Sequence, residues 1–172
     1  MFSDPEQNIA HLSLEDGMHV ADFGAGSGFY TFAAARKVGA RGRVYAIEVQ
    51  RELLEKLSRG ASAAHLSNVQ IVWGDIEKIG GTQLHDAIVD RVIVSNVLFQ
   101  VEHKDNLCLE IKRILKPNGR VLIIDWGSHS SIGPKALFPE MAAEALFEKH
   151  GFVRESGFAA GDHHYGLIFK KQ

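Results

Sequence analysis

Residues 20–35 read VADFGAGSGFYTFAAA: an apolar strand ending on an acid, three alternate glycines, then an immediate run of helix formers. A strand that feeds straight into a helix in this way is the opening of a βαβ unit, because parallel strands need a crossover between them. The glycines remove Cβ atoms where backbone N–H groups and a helix N-terminus would meet a ligand. In open α/β sheets that meeting point lies beyond the carboxyl ends of the strands. This one stretch therefore constrains both the fold class and the place where a site would sit.

The rest of the chain continues the alternation. Ser3-Asp4-Pro5-Glu6 resembles a capping box with an early proline, which predicts a short helix to about residue 11. Periodicity predicts strands over 18–23, 42–49, 68–75, 89–96 and 120–126, and helices over 29–38, 51–58, 104–115 and 138–150. KPNG at 116–119 reads as a turn. Two further strands, 152–159 and 165–170, are joined by AGDHH at 160–164 and should form an antiparallel hairpin. The expected fold is α/β with a mostly parallel sheet covered on both faces by helices.

Composition excludes several classes. A chain of 172 residues with 45% hydrophobic and 23% charged residues fits one soluble globular domain spanning 1–172. The net charge of −2 gives no electrostatic case for nucleic acid. The single cysteine, Cys108, rules out an internal disulfide and a cysteine-based zinc cluster, and no metal is expected. No apolar run approaches the ~18 residues that span a bilayer. The first residues carry Asp4 and Glu6 and no basic segment, so they do not read as a signal peptide. A cytoplasmic location is the expectation.

The glycine spacing separates two ligand classes. Dinucleotide sites use G-x-G-x-x-G, whereas here Gly24, Gly26 and Gly28 alternate and Phe29 falls where the last dinucleotide glycine would be. Asp22, two residues before the first glycine, suits a ligand carrying an ammonium group better than a diphosphate. Glu48 ends the second strand and can accept both ribose hydroxyls. Asp75 follows the third strand beside Ile76, so an acid for an adenine amine and an aliphatic face for its ring stand together. Each feature alone is also compatible with ordinary turn chemistry or a capping acid. Their alignment at successive strand ends favours a site.

With those residues in place, the sequence resembles the class I methyltransferases that use S-adenosylmethionine. VADFGAGSG is similar to their first motif, YAIEV to the second, GDIE to the third, and RVIVSNVL with LKPNGRVLIIDW to the fourth and fifth. Among subgroups it looks most like the small-molecule enzymes related to ubiquinone/menaquinone biosynthesis. The resemblance implies a Rossmann-like seven-stranded sheet of order 3-2-1-4-5-7-6 with strand 7 antiparallel. It implies S-adenosylmethionine as cofactor and S-adenosylhomocysteine as product. By position, Gly24, Ala25, Gly26 and Gly28 would line the methionine part and Asp22 its ammonium end. Tyr30 and Thr31 would face the methionine carboxylate. Glu48 would hold the ribose, Asp75 with Ile76 the adenine, Ser95 with Asn96 would lie beside the sulfonium, and Val49 is also assigned to the cofactor site.

Candidates for a general base lie at the carboxyl ends of strands. Asp125 ends the fifth strand, and the GDHHY turn offers Asp162, His163, His164 and Tyr165. The two histidines should point to opposite faces, so at most one reaches an acceptor. His129 is a weaker candidate. The acceptor itself reads as a small molecule or a lipid-like one. SNVLFQ stands where amino-group methyltransferases carry an Asn-Pro-Pro-Tyr motif, and arsenite methyltransferases use several cysteines. Cys108 lies on the apolar face of its helix and reads as core. Residues 1–17 and 127–150 are the segments available to cover the acceptor, or a second subunit in a homodimer completes the cleft. The competing readings are a catalytically silent S-adenosylmethionine-binding module serving a partner enzyme, and a nicotinamide-dependent dehydrogenase.

Overall fold

The structure is a computed structural model that describes residues 3–127 and 133–172. His129 lies outside the described residues. Seven strands form one sheet: β1 (His19–Phe23), β2 (Arg43–Glu48), β3 (Val69–Trp73), β4 (Val89–Ser95), β5 (Leu115–Trp126), β6 (Phe152–Ala159) and β7 (His164–Lys171). Their order is β3-β2-β1-β4-β5-β7-β6, with β7 antiparallel to both neighbours and the other pairs parallel. This is the expected seven-stranded Rossmann-like α/β sheet. Around it pack α1 (Pro5–Ala10), α2 (Phe29–Val38), α3 (Arg51–Ala63), α4 (Lys104–Ile114) and α5 (Glu140–Lys149).

The period-2 rule divides the central strands between two cores. Val92, Val94, Val121 and Ile123 face one side, against Leu107, Ile111 and Ile114 of α4 and Phe147 of α5. Ile93, Leu122 and Ile124 face the other, against Ile9 of α1 and Ala33, Ala34 and Val38 of α2. Both faces are dry, which is why β1, β4 and β5 are near-continuous apolar runs. Among the described residues no helix is long and apolar enough to cross a membrane.

Helix α3 continues to Ala63 rather than ending at residue 58, and three further local outcomes differ from the sequence reading. KPNG is absorbed into β5 as a bulge: Val89 pairs with Leu115 and Arg91 with Arg120, so the turn loops out opposite Asp90. Asn118, in the left-handed region at φ 62°, makes that excursion. Helix α5 starts at Glu140, because Pro139 is extended (φ −62°, ψ 151°) and the backbone oxygen of Phe138 accepts the Tyr165 hydroxyl at 2.9 Å. At the N-terminus, Asp4 rather than Ser3 caps α1, accepting from the amides of Glu6 (3.0 Å) and Gln7 (3.4 Å). Ser3 is thereby free to turn inward.

Since β1 to β6 all run the same way, their carboxyl ends share one edge of the sheet. The glycine loop, the ends of β2 and β3, the β4 exit and the 160–163 turn are all gathered there.

Candidate functional site

At that edge lies a cavity of about 750 Å³. Its wall contains Asp22, Gly24, Ala25, Gly26, Tyr30, Glu48, Val49, Asp75, Ile76, Ser95 and Asn96, which are eleven of the thirteen residues assigned to a cofactor by sequence. Four acidic residues, Asp22, Glu48, Asp75 and Glu77, contribute to the lining, and no lysine or arginine is among its described lining residues.

The glycine loop is tied to the end of β2 by the amides of Gly24 and Ala25, which both donate to the Ile47 carbonyl at 3.0 Å. Gly26 has φ 55°, and a Cβ built on it would meet nothing nearer than the Gly24 carbonyl at 3.8 Å. Its missing side chain leaves bare backbone facing the cavity. Gly28 has another role. It sits at φ 88° as the N-cap of α2, where a Cβ would come within 2.6 Å of Phe32 and 2.8 Å of Leu57. It permits close packing of α2 against α3 and lies behind the cavity wall.

Asp22 is buried, and its carboxylate accepts the Thr31 hydroxyl at 2.6 Å. Burial pushes its carboxyl up to about 6, the Thr31 bond opposes that rise, and the nearby Glu48 charge adds to it. Thr31 thus serves the cavity indirectly, through Asp22. The Glu48 carboxylate is held by three backbone amides: Val49 (2.9 Å) and Gln50 (3.0 Å) on Oε1, and Gly26 (3.0 Å) on Oε2. These bonds fix the acid of β2 to the glycine loop of β1. Asp75 accepts the Glu77 amide at 3.0 Å and pairs with Lys78 at 2.9 Å, which holds its carboxyl below the ordinary range.

Helix α4 braces the segment that carries Asp75. The fully buried Glu110 accepts the amides of Gly80 (2.7 Å) and Thr82 (3.2 Å) and the Thr82 hydroxyl, and is neutralised by Arg113 at 2.7 Å. Glu77 returns the contact by accepting the amides of Glu102 (2.9 Å) and His103 (2.7 Å) at the start of α4. A buried charge with this many donors is satisfied and rigid.

Across the cavity from β3, the N-terminal segment closes the wall with Ser3 and Pro5. Asn8 Nδ2 donates to Ser3 Oγ at 2.8 Å and to Tyr30 Oη at 2.9 Å, and the two hydroxyls are 2.9 Å apart. Proton counting is informative here. Asn8 uses both amide protons, and the bond between Ser3 and Tyr30 uses one hydroxyl proton. One hydroxyl proton is left over, on a pair that lines the cavity. Sequence reasoning found Tyr30 but missed Ser3, Pro5, Asn8, Phe29 and Gln100, because the capping signal at Ser3 gave no hint of a partner 27 residues away.

The three proposed proton-transfer residues lie outside the cavity lining. Asp125 is fully buried and accepts the amides of Leu98 (2.9 Å) and Trp126 (2.8 Å), so it shapes the chain leaving β4. Burial pushes its carboxyl up to about 6. His163 is not among the described lining residues, and its carbonyl accepts the Gly127 amide at 2.8 Å. His164 is 8% exposed, its ring centroid 4.3 Å from that of Trp126, with Nε2 3.0 Å from Asn96 Oδ1. Among the described residues, its link to the cavity wall is Asn96. Burial, followed by the neighbouring His163, lowers its pKa.

The donor set fits an S-adenosylmethionine molecule. A buried carboxylate faces a cationic end, one spare hydroxyl proton suits a carboxylate, bare glycine backbone allows close approach, and acids at two further strand ends suit a ribose and an adenine amine.

Comparison with known proteins agrees. Residues 14–156 match a family model described as a methyltransferase domain. An arsenite methyltransferase from Halobacterium salinarum is 31% identical over 116 residues, which are 67% of this chain and 29% of that protein. A ubiquinone/menaquinone biosynthesis C-methyltransferase from Pseudomonas aeruginosa is 31% identical over 123 residues, covering 69% of this chain and 45% of the relative. The chain thus spans about a third to a half of the curated relatives' length. Among solved structures, a SAM-dependent methyltransferase from Aquifex aeolicus superposes with a TM-score of 0.91 at 28% identity, covering 99% of this chain and 91% of that one.

Proposed function

This chain belongs to the class I S-adenosylmethionine-dependent methyltransferase family, and we propose that it transfers a methyl group to a neutral small-molecule or lipid-like acceptor. The observation that carries this reading is the charge of the cavity. Its described lining residues bring together four carboxylates and no cationic side chain, which favours a cationic ligand and disfavours phosphate-bearing or carboxylate-bearing acceptors. Phe29, 73% exposed at the mouth, together with Pro5 and Val101, offers apolar contact to an acceptor skeleton.

In this reading Asp22 pairs with the ammonium group and the Ser3–Tyr30 pair donates its spare proton to the methionine carboxylate. Glu48, already oriented by three amides, uses its remaining lone-pair capacity on the ribose. Asp75 and Ile76 hold the adenine, and Ser95 and Asn96 flank the reacting centre. When bound, S-adenosylmethionine would supply an electrophilic methyl; transfer would break its sulfur–carbon bond, leave a neutral thioether and send the acceptor's proton to solvent. The chain's own contribution is alignment and exclusion of water. Cys108 sits in the core with its thiol pushed up to about 12 by burial, so it offers no thiolate to arsenic. That supports an organic acceptor over the arsenite named for one set of relatives.

Incubation of the purified chain with methyl-labelled S-adenosylmethionine and a metabolite and lipid extract tests this. The expected result is label in neutral, organic-extractable products. Label confined to anionic aqueous products would overturn the acceptor class, and binding with no transfer at all would favour the silent module.

A further inference from the structure

We infer that Asn96, clamped by His164, is a specificity-determining donor that binds a neutral hydroxyl or carbonyl oxygen of the methyl acceptor. The identity of that ligand rests on the methyl-transfer reading above; the clamp itself does not.

Asn96 is held from every side but one. Its backbone sits in the left-handed region at φ 57°. Its amide donates to Ile124 at 2.8 Å, and its carbonyl accepts Gln100 Nε2 at 3.1 Å. Its side-chain Oδ1 lies 3.0 Å from His164 Nε2. His164 is in turn held by the β5–β7 ladder opposite Trp126, and its ring packs on the Trp126 ring.

The tautomer follows from what is left unpaired. Among the described residues, His164 Nδ1 is buried without a partner. With the proton on Nδ1, a buried N–H would have no acceptor and Nε2 would turn a lone pair toward Asn96. With the proton on Nε2, the ring donates to Asn96 Oδ1, and only a bare lone pair is buried. The second arrangement has the smaller penalty, because it keeps the bond and leaves no orphaned donor. Charging the ring would bury a second N–H that has no acceptor among the described residues, which disfavours the charged form, as does burial of the ring.

A donor on Oδ1 fixes the direction of the amide group. Asn96 Nδ2 then carries two protons, and its contact with Ser95 Oγ is long, at 3.5 Å. Asn96 is half-buried and lines the cavity where Ser95 also lies. A carboxamide N–H pair aimed there accepts no proton and donates readily, so it selects for an oxygen lone pair. A strongly acidic cavity argues that this oxygen is uncharged.

The test uses isotope-labelled protein saturated with S-adenosylhomocysteine, with naphthol as probe and naphthalene as the same ring without oxygen. Ring-nitrogen shifts should report a single Nε2–H tautomer for His164. Naphthol should bind at least ~5-fold tighter than naphthalene and move the Asn96 side-chain amide signals. That preference should fall to within about twofold in Asn96→Gly, which tolerates φ 57°, and in His164→Phe, which keeps a ring against Trp126. Asn96→Gly should also release the His164 tautomer signal. A mixed tautomer in the parent protein, no preference for naphthol, or a preference surviving either substitution overturns the inference. Failure of S-adenosylhomocysteine to bind would instead overturn the methyl-transfer reading, and the tautomer measurement would still judge the clamp.

Discussion

Gly26→Asn should weaken S-adenosylmethionine binding by ~10- to 100-fold while leaving the fold intact, and Gly28→Ala should do the reverse. The two glycines are two residues apart and both have positive φ, but a Cβ meets different things at each. At Gly26 nothing lies within 3.8 Å except the Gly24 carbonyl, and asparagine is the side chain that best tolerates the left-handed region. The new carboxamide would enter the cavity. At Gly28 the Cβ would lie 2.6 Å from Phe32 and 2.8 Å from Leu57, at φ 88°. Overpacking with backbone strain there should lower stability by about 1–3 kcal/mol. Denaturant unfolding and calorimetric titration of both variants check the contrast. An unfolded Gly26→Asn, or one that binds as well as the parent, would remove the loop from the site.

The second large effect is at Asp22, where stability and binding should move in opposite directions. Its carboxyl is raised from 3.8 to about 6, so the folded protein holds a proton that the unfolded chain has released. A raised carboxyl contributes stability that is fully present below 3.8 and is lost as pH rises through about 6. Above that pH the ligand-free protein therefore carries an uncompensated buried charge, at a cost of about 2–3 kcal/mol. Asp22→Asn keeps an oxygen for the Thr31 hydroxyl and removes the charge. It should raise the melting temperature by several degrees at pH 8, with the gain vanishing near pH 4. The same substitution should weaken S-adenosylmethionine binding by ~10- to 150-fold at pH 8, the range for losing a charge-assisted bond. Parent affinity should fall as pH drops through about 6, and that fall should be absent in the variant. Asp125, also raised to about 6, titrates in both proteins and cancels in the comparison.

Asp22 also illustrates what a sequence carries. An acid at the end of an apolar strand, two residues before a glycine, is a local pattern, and so are Glu48 and Asp75 at the next two strand ends. Their positions followed from strand periodicity alone, and the sheet order followed from the family resemblance. What stayed hidden depended on contacts between distant segments. Gly28 looks like the other loop glycines until Leu57 of α3 is packed beside it. Asp125 looks like a strand-end acid open to an acceptor, but in the fold the amide of Leu98 bonds to it and the carboxylate is sealed in. His164 looked like half of an exposed pair, yet the antiparallel pairing with Trp126 draws it inward beneath Asn96. Ser3 and Asn8 offered a helix cap and no sign of Tyr30. Burial and long-range hydrogen bonding, not residue type, decided each of these roles.

The central claim is that the acidic cavity over the glycine loop holds S-adenosylmethionine. Calorimetric titration of the purified chain at pH 8 with S-adenosylmethionine, S-adenosylhomocysteine and NAD tests it most directly. The account predicts one saturable site per chain for the first two, lost together in Gly26→Asn, and no detectable heat of binding for NAD, whose diphosphate would face four carboxylates. Saturable binding of NAD, or no binding of S-adenosylmethionine by folded protein, would contradict it.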